Sequence, residues 1–150
     1  MSLAELAREV ELVELRTTDV SARVRRGPMP VPGDTIDATF AVKAVAGRNG
    51  ATDFDVFFSL DCRPRKSVGE REYARFLFRA VARYRAPRAW PDETIETFTR
   101  TNALIHLWPY ARQYVQSASA QLSLLPILLP PYRVQVAERG AVTSTPVPPR

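Results

Sequence analysis

The chain has 150 residues, 45% of them hydrophobic and 25% charged, with a formal net charge of +5 at pH 7 and an isoelectric point near 9.9. That length is one domain, and a domain of this size buries about 68–70% of the surface its unfolded chain exposes, so a core forms without metal or disulfide support. A single cysteine, Cys62, excludes an internal disulfide, and no Cys/His spacing suggests zinc, so neither metal nor cofactor is expected and the reading is a reducing cytoplasm.

The first residues, MSLAELAREVELVEL, spread charge through their apolar positions and read as neither a secretory signal nor a membrane span. Ser2 and Glu5 stand at capping-box spacing, and Leu3, Leu6, Ala7 and Val10 share one helical stripe, so a short helix is expected to end near Glu11. From Leu12 the pattern alternates, with Val13, Leu15 and Thr17 in one phase and Val20, Ala22 and Val24 in the other. Because side chains alternate faces with a period of two, that change of phase requires a bulge or bend at Thr17 to Asp19. Residues 27 to 33, GPMPVPG, exclude regular structure and read as a crossover loop.

Ile36, Ala38, Phe40, Val42 and Ala44 alternate with Asp37, Thr39 and Lys43, the pattern of a half-buried strand. Arg48-Asn49-Gly50 tolerates positive φ and predicts a hairpin. The strand beyond it places Phe54, Val56, Phe58, Leu60 and Cys62 on one face and Asp53, Asp55, Ser59 and Asp61 on the other. A basic turn from Arg63 to Gly69 follows. The next segment, EREYARFLFRAVARYRA, fits two patterns. As a strand it sets Ala74, Phe76, Phe78, Ala80 and Tyr84 opposite Arg75, Arg79 and Arg83. As a helix it aligns Tyr73, Phe76, Leu77, Ala80, Val81 and Tyr84, and periodicity alone leaves both open.

Pro91 followed by Asp92 and Glu93 suits a helix start, with Ile95 and Phe98 on its apolar side. A second helix is expected from Asn102, with Leu104, Trp108, Ala111, Val115 and Ala118 along one face and Pro109 either kinking it or sitting in its first turns. After Gln121 the prolines of LSLLPILLPPY confine the backbone to extended or irregular conformations. Residues 1–136 read as one domain and 137–150 as a disordered tail.

Leu107-Trp108-Pro109-Tyr110-Ala111-Arg112, followed by the Leu-rich, Pro-containing loop, resembles the F-P-Y-A-R-E signature and L-x-L-x-P sequel of SecB-type export chaperones. Thr17-Thr18-Asp19-Val20-Ser21 resembles the T-K-D-I-S of that family's first strand. Val68-Gly69-Glu70 leading to Phe76 resembles the G-E-E-x-A-F approach to its fourth, which assigns the ambiguous segment to a strand. The resemblance spans Leu12 to Tyr132 and implies an α+β fold, a four-stranded antiparallel sheet with helices packed on one face, assembled as a homotetramer, a dimer of dimers. It implies an ATP-independent holdase rather than an enzyme, binding unfolded or nascent polypeptide in hydrophobic grooves for protein export or, in some members, holding the antitoxin of a toxin–antitoxin module. Export members carry a second acid four positions after the matched aspartate, where it helps dock the ATPase SecA. Here Asp19 is kept but Arg23 stands at that later position, and the charge reversal argues against SecA docking. Pro130-Pro131 and the alternation from Tyr132 to Val136 argue for an extended segment where the family has a closing helix.

The candidate client contacts are Leu122, Leu124, Leu125, Ile127, Leu128, Leu129 and Tyr132, since exposed contiguous apolar area marks an interaction site. The structural alternative is that these leucines cap the sheet. Leu104, Trp108, Tyr110, Ala111 and Val115 are candidate oligomer-interface positions, with core as the alternative, because aromatics dominate both. Arg75, Arg79 and Arg83 read as a solvated sheet face. Their functional alternative, together with the Arg63 to Lys66 turn, is a basic nucleic-acid-binding module, disfavoured by the lack of stacking aromatics. His106 has no nucleophile or carboxylate placed beside it by a recognisable motif and reads as structural.

Overall fold

The computed structural model of the chain describes residues 2–67, 69–130, 132–136 and 142–146, the last two segments by their backbone. Helix α1 (Leu3–Glu9) carries the expected capping box: the Ser2 amide donates to Glu5 Oε2 at 2.7 Å and the Glu5 amide to Ser2 Oγ at 3.3 Å. These bonds satisfy amides that a helix start leaves without partners, and the helix then buries Leu6.

Four strands follow, β1 (Glu11–Val24), β2 (Asp37–Asn49), β3 (Asp53–Arg65) and β4 (Ala74–Arg85), in one antiparallel sheet of order β1-β4-β3-β2. Strand β1 slips register at Thr17/Asp19, as its change of phase requires, and also at Leu12/Glu14, which the sequence pattern does not reveal. Strands β2 and β3 pair without a slip from Asn49↔Asp53 to Asp37↔Arg65, joined by a turn in which Gly50 takes φ +85°, a left-handed value that glycine adopts without Cβ strain. The segment with two readings is β4. Ala74, Phe76, Phe78, Ala80, Ala82 and Tyr84 are buried in alternation with exposed Arg75, Arg79, Arg83 and Arg85, because the sheet has a covering layer on one side only.

That layer is helical. Helix α2 (Asp92–Phe98) begins after Pro91 with Asp92 and Glu93 in its first turn, passes through a π-helical segment (Thr99–Ala103), and continues as α3 (Leu104–Gln121). Thr97, Thr99 and Thr101 donate their hydroxyls to the carbonyls of Glu93, Ile95 and Thr97 at 2.9, 2.8 and 2.8 Å, so the buried pair Thr99 and Thr101 are satisfied as they pack inward. Phe98 meets Phe54 and Tyr84 edge-on at 5.7 and 5.1 Å, and Trp108 lies 5.9 Å from Phe40. Burying each such ring contributes about 1.5–3 kcal/mol, so this aromatic layer dominates the attachment of helix to sheet.

Beyond the leucine loop, β5 (Tyr132–Val136) pairs antiparallel with β6 (Val142–Pro146). The extended reading of 132–136 holds. The disordered-tail reading is corrected at 142–146, where pairing with β5 gives backbone donors and acceptors their partners, as ordered strands require. The rest of that expected tail lies outside the described residues. Strand β5 lies beside α3, and β6 beside the π-helical segment.

Candidate interaction surface

Helix α3 fixes where the leucine loop leaves the core. Its end is set by Ser123 in the left-handed conformation (φ 57°), with the Leu124 amide donating to the Ser119 carbonyl at 2.9 Å and the Leu122 amide to Ala118 at 3.0 Å. Bonds of this kind close a helix C-terminus and aim the following chain. At the loop's other end Trp108 Nε1 donates to the Pro130 carbonyl oxygen at 2.6 Å. Between these two fixed points the chain has no helix or strand, and its side chains divide between the core and the surface. Ile127 and Leu129 are 4% and 2% exposed, whereas Leu128 is 66% exposed.

The loop therefore divides the expected client contacts. Leu122 and Leu128 are exposed and Leu124 and Leu125 half-buried, with Leu124 packed against the core. Ile127 and Leu129 are corrected to core positions, because both pack into the buried apolar cluster. The Tyr132 side chain lies outside the described residues. Among the expected interface residues, Leu104, Trp108, Ala111 and Val115 are corrected in the same way: they are buried within the protomer, between α3 and the sheet. Tyr110 is left on the outer surface of α3, with Ile105 also exposed.

Two exposed apolar sets were not singled out in the sequence. Val20 and Val24 of β1 lie opposite Phe78 and Ala74 of β4, on the helix-bearing side of the sheet, yet remain 48% and 41% exposed. Tyr114 of α3 stacks toward Phe78 at 5.5 Å, while Val20, one strand farther out, stays open. No local signal marks these valines, since strand order decides which lie at an edge. On the opposite side Val45, Phe57 and Val81 pair in one row across three strands. Here a signal existed: Phe57 stands in the polar phase of β3. An added Cβ at Gly47 would approach Phe57 Cε2 to 3.2 Å, so the ring rests on bare backbone.

The arginine row is neutralised in place. Arg75 pairs with Asp61 at 2.8 Å, Arg79 approaches Asp19 at 3.7 Å, and Arg83 pairs with Asp55 at 3.1 Å and approaches Glu14 at 3.6 Å. Hydrogen bonding from Arg75, with Arg63 also contributing, holds the Asp61 carboxyl below its usual range. A row of three arginines each beside a carboxylate has less charge left for successive phosphates, which weakens the nucleic-acid reading. His106 Nδ1 lies 3.1 Å from the Tyr84 hydroxyl, and burial pushes its pKa down. The Cys62 thiol is buried and pushed up to about 12, so it is a packing group at neutral pH. Among the described residues no cluster of three or more His, Cys, Asp or Glu is placed to hold a metal, and no helix is long and apolar enough to cross a membrane.

No family model matches the sequence. Two relatives do, the SecB-like chaperones MT2006 and Rv1957 of two Mycobacterium tuberculosis strains. Each is 27% identical over 143 residues, an alignment that covers 84% of this chain and 79% of the relative. The solved structure of the M. tuberculosis Rv1957 SecB-like chaperone in complex with a ChAD peptide from the Rv1956 HigA1 antitoxin superposes with a TM-score of 0.74 at 22% identity, covering 84% of this chain and 92% of that one. The chain is similar in sequence and in fold to SecB-like chaperones. The α+β architecture expected from the sequence is the SecB-like fold, and the run from Leu107 to Arg112 that carries the resemblance lies in α3. The loop after α3 is pinned at both ends and leaves Leu122 and Leu128 exposed.

Proposed function

We propose that this SecB-like protein is an ATP-independent holdase that binds unfolded polypeptide on the apolar surface left open by Leu122, Leu125 and Leu128 beside α3. The observation that carries this reading is Leu128, exposed to 66% between two buried neighbours on a loop anchored by Trp108. An aliphatic side chain held out by a fixed backbone offers contact area without the entropy cost of ordering a mobile loop. An antitoxin segment is the client we favour, supported by the antitoxin peptide bound in the Rv1957 complex. Self-association into a dimer of dimers would draw on Tyr110, Ile105, Val20 and Val24, all exposed in the protomer. We place the protein in the cytoplasm, where a single buried thiol suits reducing conditions.

The test is suppression of aggregation. A chemically unfolded client diluted into buffer scatters light as it aggregates. A molar excess of this protein, without nucleotide, is expected to lower the scattering in proportion to its concentration, and unchanged scattering would overturn the reading.

A further inference from the structure

At the end of the sheet opposite the β2–β3 hairpin, the connection from β1 to β2 and the turn from β3 to β4 enclose a pocket of about 440 Å³. That volume falls within the range of ligand-binding clefts. Its two walls are tied together: the Arg25 amide donates to the Tyr73 carbonyl at 2.8 Å, Arg25 Nη2 pairs with Glu72 at 2.9 Å, and Lys66 Nζ lies 3.6 Å from Asp34. These pairs occupy Arg25 and Lys66. Arg26 and Arg71 also line the pocket, both exposed, and neither has a carboxylate within ion-pair distance among the described residues. Met29 and Pro28 supply apolar surface. Tyr73 lines the pocket as well, and its hydroxyl is buried without a hydrogen-bond partner among the described residues. Burial pushes that hydroxyl up to about 12, so it keeps its proton at neutral pH.

A guanidinium fork matches a carboxylate in a planar, two-bond geometry, and charge-assisted bonds of this kind are the stronger class of hydrogen bond. Two such forks beside apolar wall suit carboxylates carried on aliphatic stems along a chain. Glu70 and Glu72 in the lining repel a compact dianion such as phosphate more than they repel spaced single carboxylates. The net charge of +5 acts in the same direction, steering anionic chains toward the protein. We propose that this pocket binds an acidic stretch of an unfolded client polypeptide, with Arg26 and Arg71 pairing its Asp or Glu carboxylates. The inference rests on the reading of the protein as a polypeptide holder and adds charge selectivity to it.

Three labelled peptides that share one apolar core and carry flanking runs of Glu, Gln or Lys test this by fluorescence anisotropy on the full chain. The Glu peptide is expected to bind about tenfold more tightly than the Gln peptide at low salt, with the advantage shrinking as the Debye length falls to about 3 Å near 1 M salt. Arg26→Glu combined with Arg71→Glu is expected to abolish the advantage while leaving the Gln peptide's affinity unchanged. The milder Arg26→Gln/Arg71→Gln pair is expected to remove it without reversing it, and circular dichroism melting confirms that each variant folds. Equal affinity for the three peptides, a Glu preference that survives both double variants, or displacement of the Glu peptide by inorganic phosphate at concentrations where acetate does nothing would each overturn the proposal. Binding of the Gln peptide without a Glu preference overturns the charge selectivity alone. Failure of all three peptides to bind removes the polypeptide-holding reading with it.

Discussion

Trp108 and Pro130 are joined by an indole-to-carbonyl hydrogen bond of 2.6 Å that spans 22 positions of sequence and ties the far end of the leucine loop to the N-terminal part of α3. The indole ring is buried against Phe40, so the bond lies where water does not compete for the carbonyl. Trp108→Phe keeps an aromatic ring and removes the donor. Leaving a buried carbonyl without its partner costs about 1–3 kcal/mol. Urea unfolding is expected to show a lower midpoint, and limited proteolysis is expected to find a new cleavage between residues 122 and 130. An unchanged proteolytic pattern would mean that the bond does not hold the loop.

Ser123 occupies the left-handed region at φ 57°, where a Cβ is disfavoured and glycine is at ease. Ser123→Gly is therefore expected to stabilise the protein, by up to about 1 kcal/mol, partly offset by the added freedom of glycine in the unfolded chain. Thermal melting measures the direction. A lower midpoint would show that the Ser123 side chain contributes something the backbone geometry does not reveal.

Adjacent positions in the loop should respond in opposite ways. Ile127→Ala empties a buried site and is expected to cost about 2–5 kcal/mol, whereas Leu128→Ser changes an exposed side chain and should stay within about 0.5 kcal/mol. Client protection should show the reverse emphasis, reduced by Leu128→Ser at full stability. Equal destabilisation by the two changes would place Leu128 in the core.

His106 gives the protein a pH dependence of defined sign. Burial lowers its folded pKa from 6.5, so as pH falls below 6.5 the unfolded chain takes up the proton before the folded one does. Stability is expected to be flat above neutrality and to decline as pH drops from 6.5 toward the lowered folded value. His106→Gln is expected to remove that slope. Asp61 acts in a separate, lower window: its folded pKa is depressed, so its contribution is present above 3.8 and is lost as pH falls through the lowered value. Urea midpoints measured across pH for wild type and His106→Gln separate the two.

Much of the sheet was legible because its signals are local. The alternation of β3, the turn at Asn49-Gly50, the capping box of α1 and the phase change at Thr17 each need only neighbouring residues. Periodicity could not decide β4, since alternating Ala and Phe positions also fit a helical stripe, and the family resemblance did. The site was less legible. Ile127 and Leu129 differ from Leu128 in burial rather than in residue type, and that burial depends on packing against residues distant in sequence. Likewise Trp108 and Tyr110 share one motif, but the helix turns the first into the core and the second outward. The strand at 142–146 was missed because its Thr-Ser-Thr run, next to a Pro-rich end, resembles unfolded composition, and its pairing partner lies in β5.

The most direct measurement compares wild type with a Leu122→Ser/Leu128→Ser variant for binding to a permanently unfolded, fluorescently labelled polypeptide, after matched melting curves establish that both fold. The wild type is expected to bind without nucleotide and the variant to lose about tenfold or more in affinity, as removal of two exposed aliphatic contacts requires. Unchanged affinity in a fully folded variant would contradict the claim that this loop holds the client.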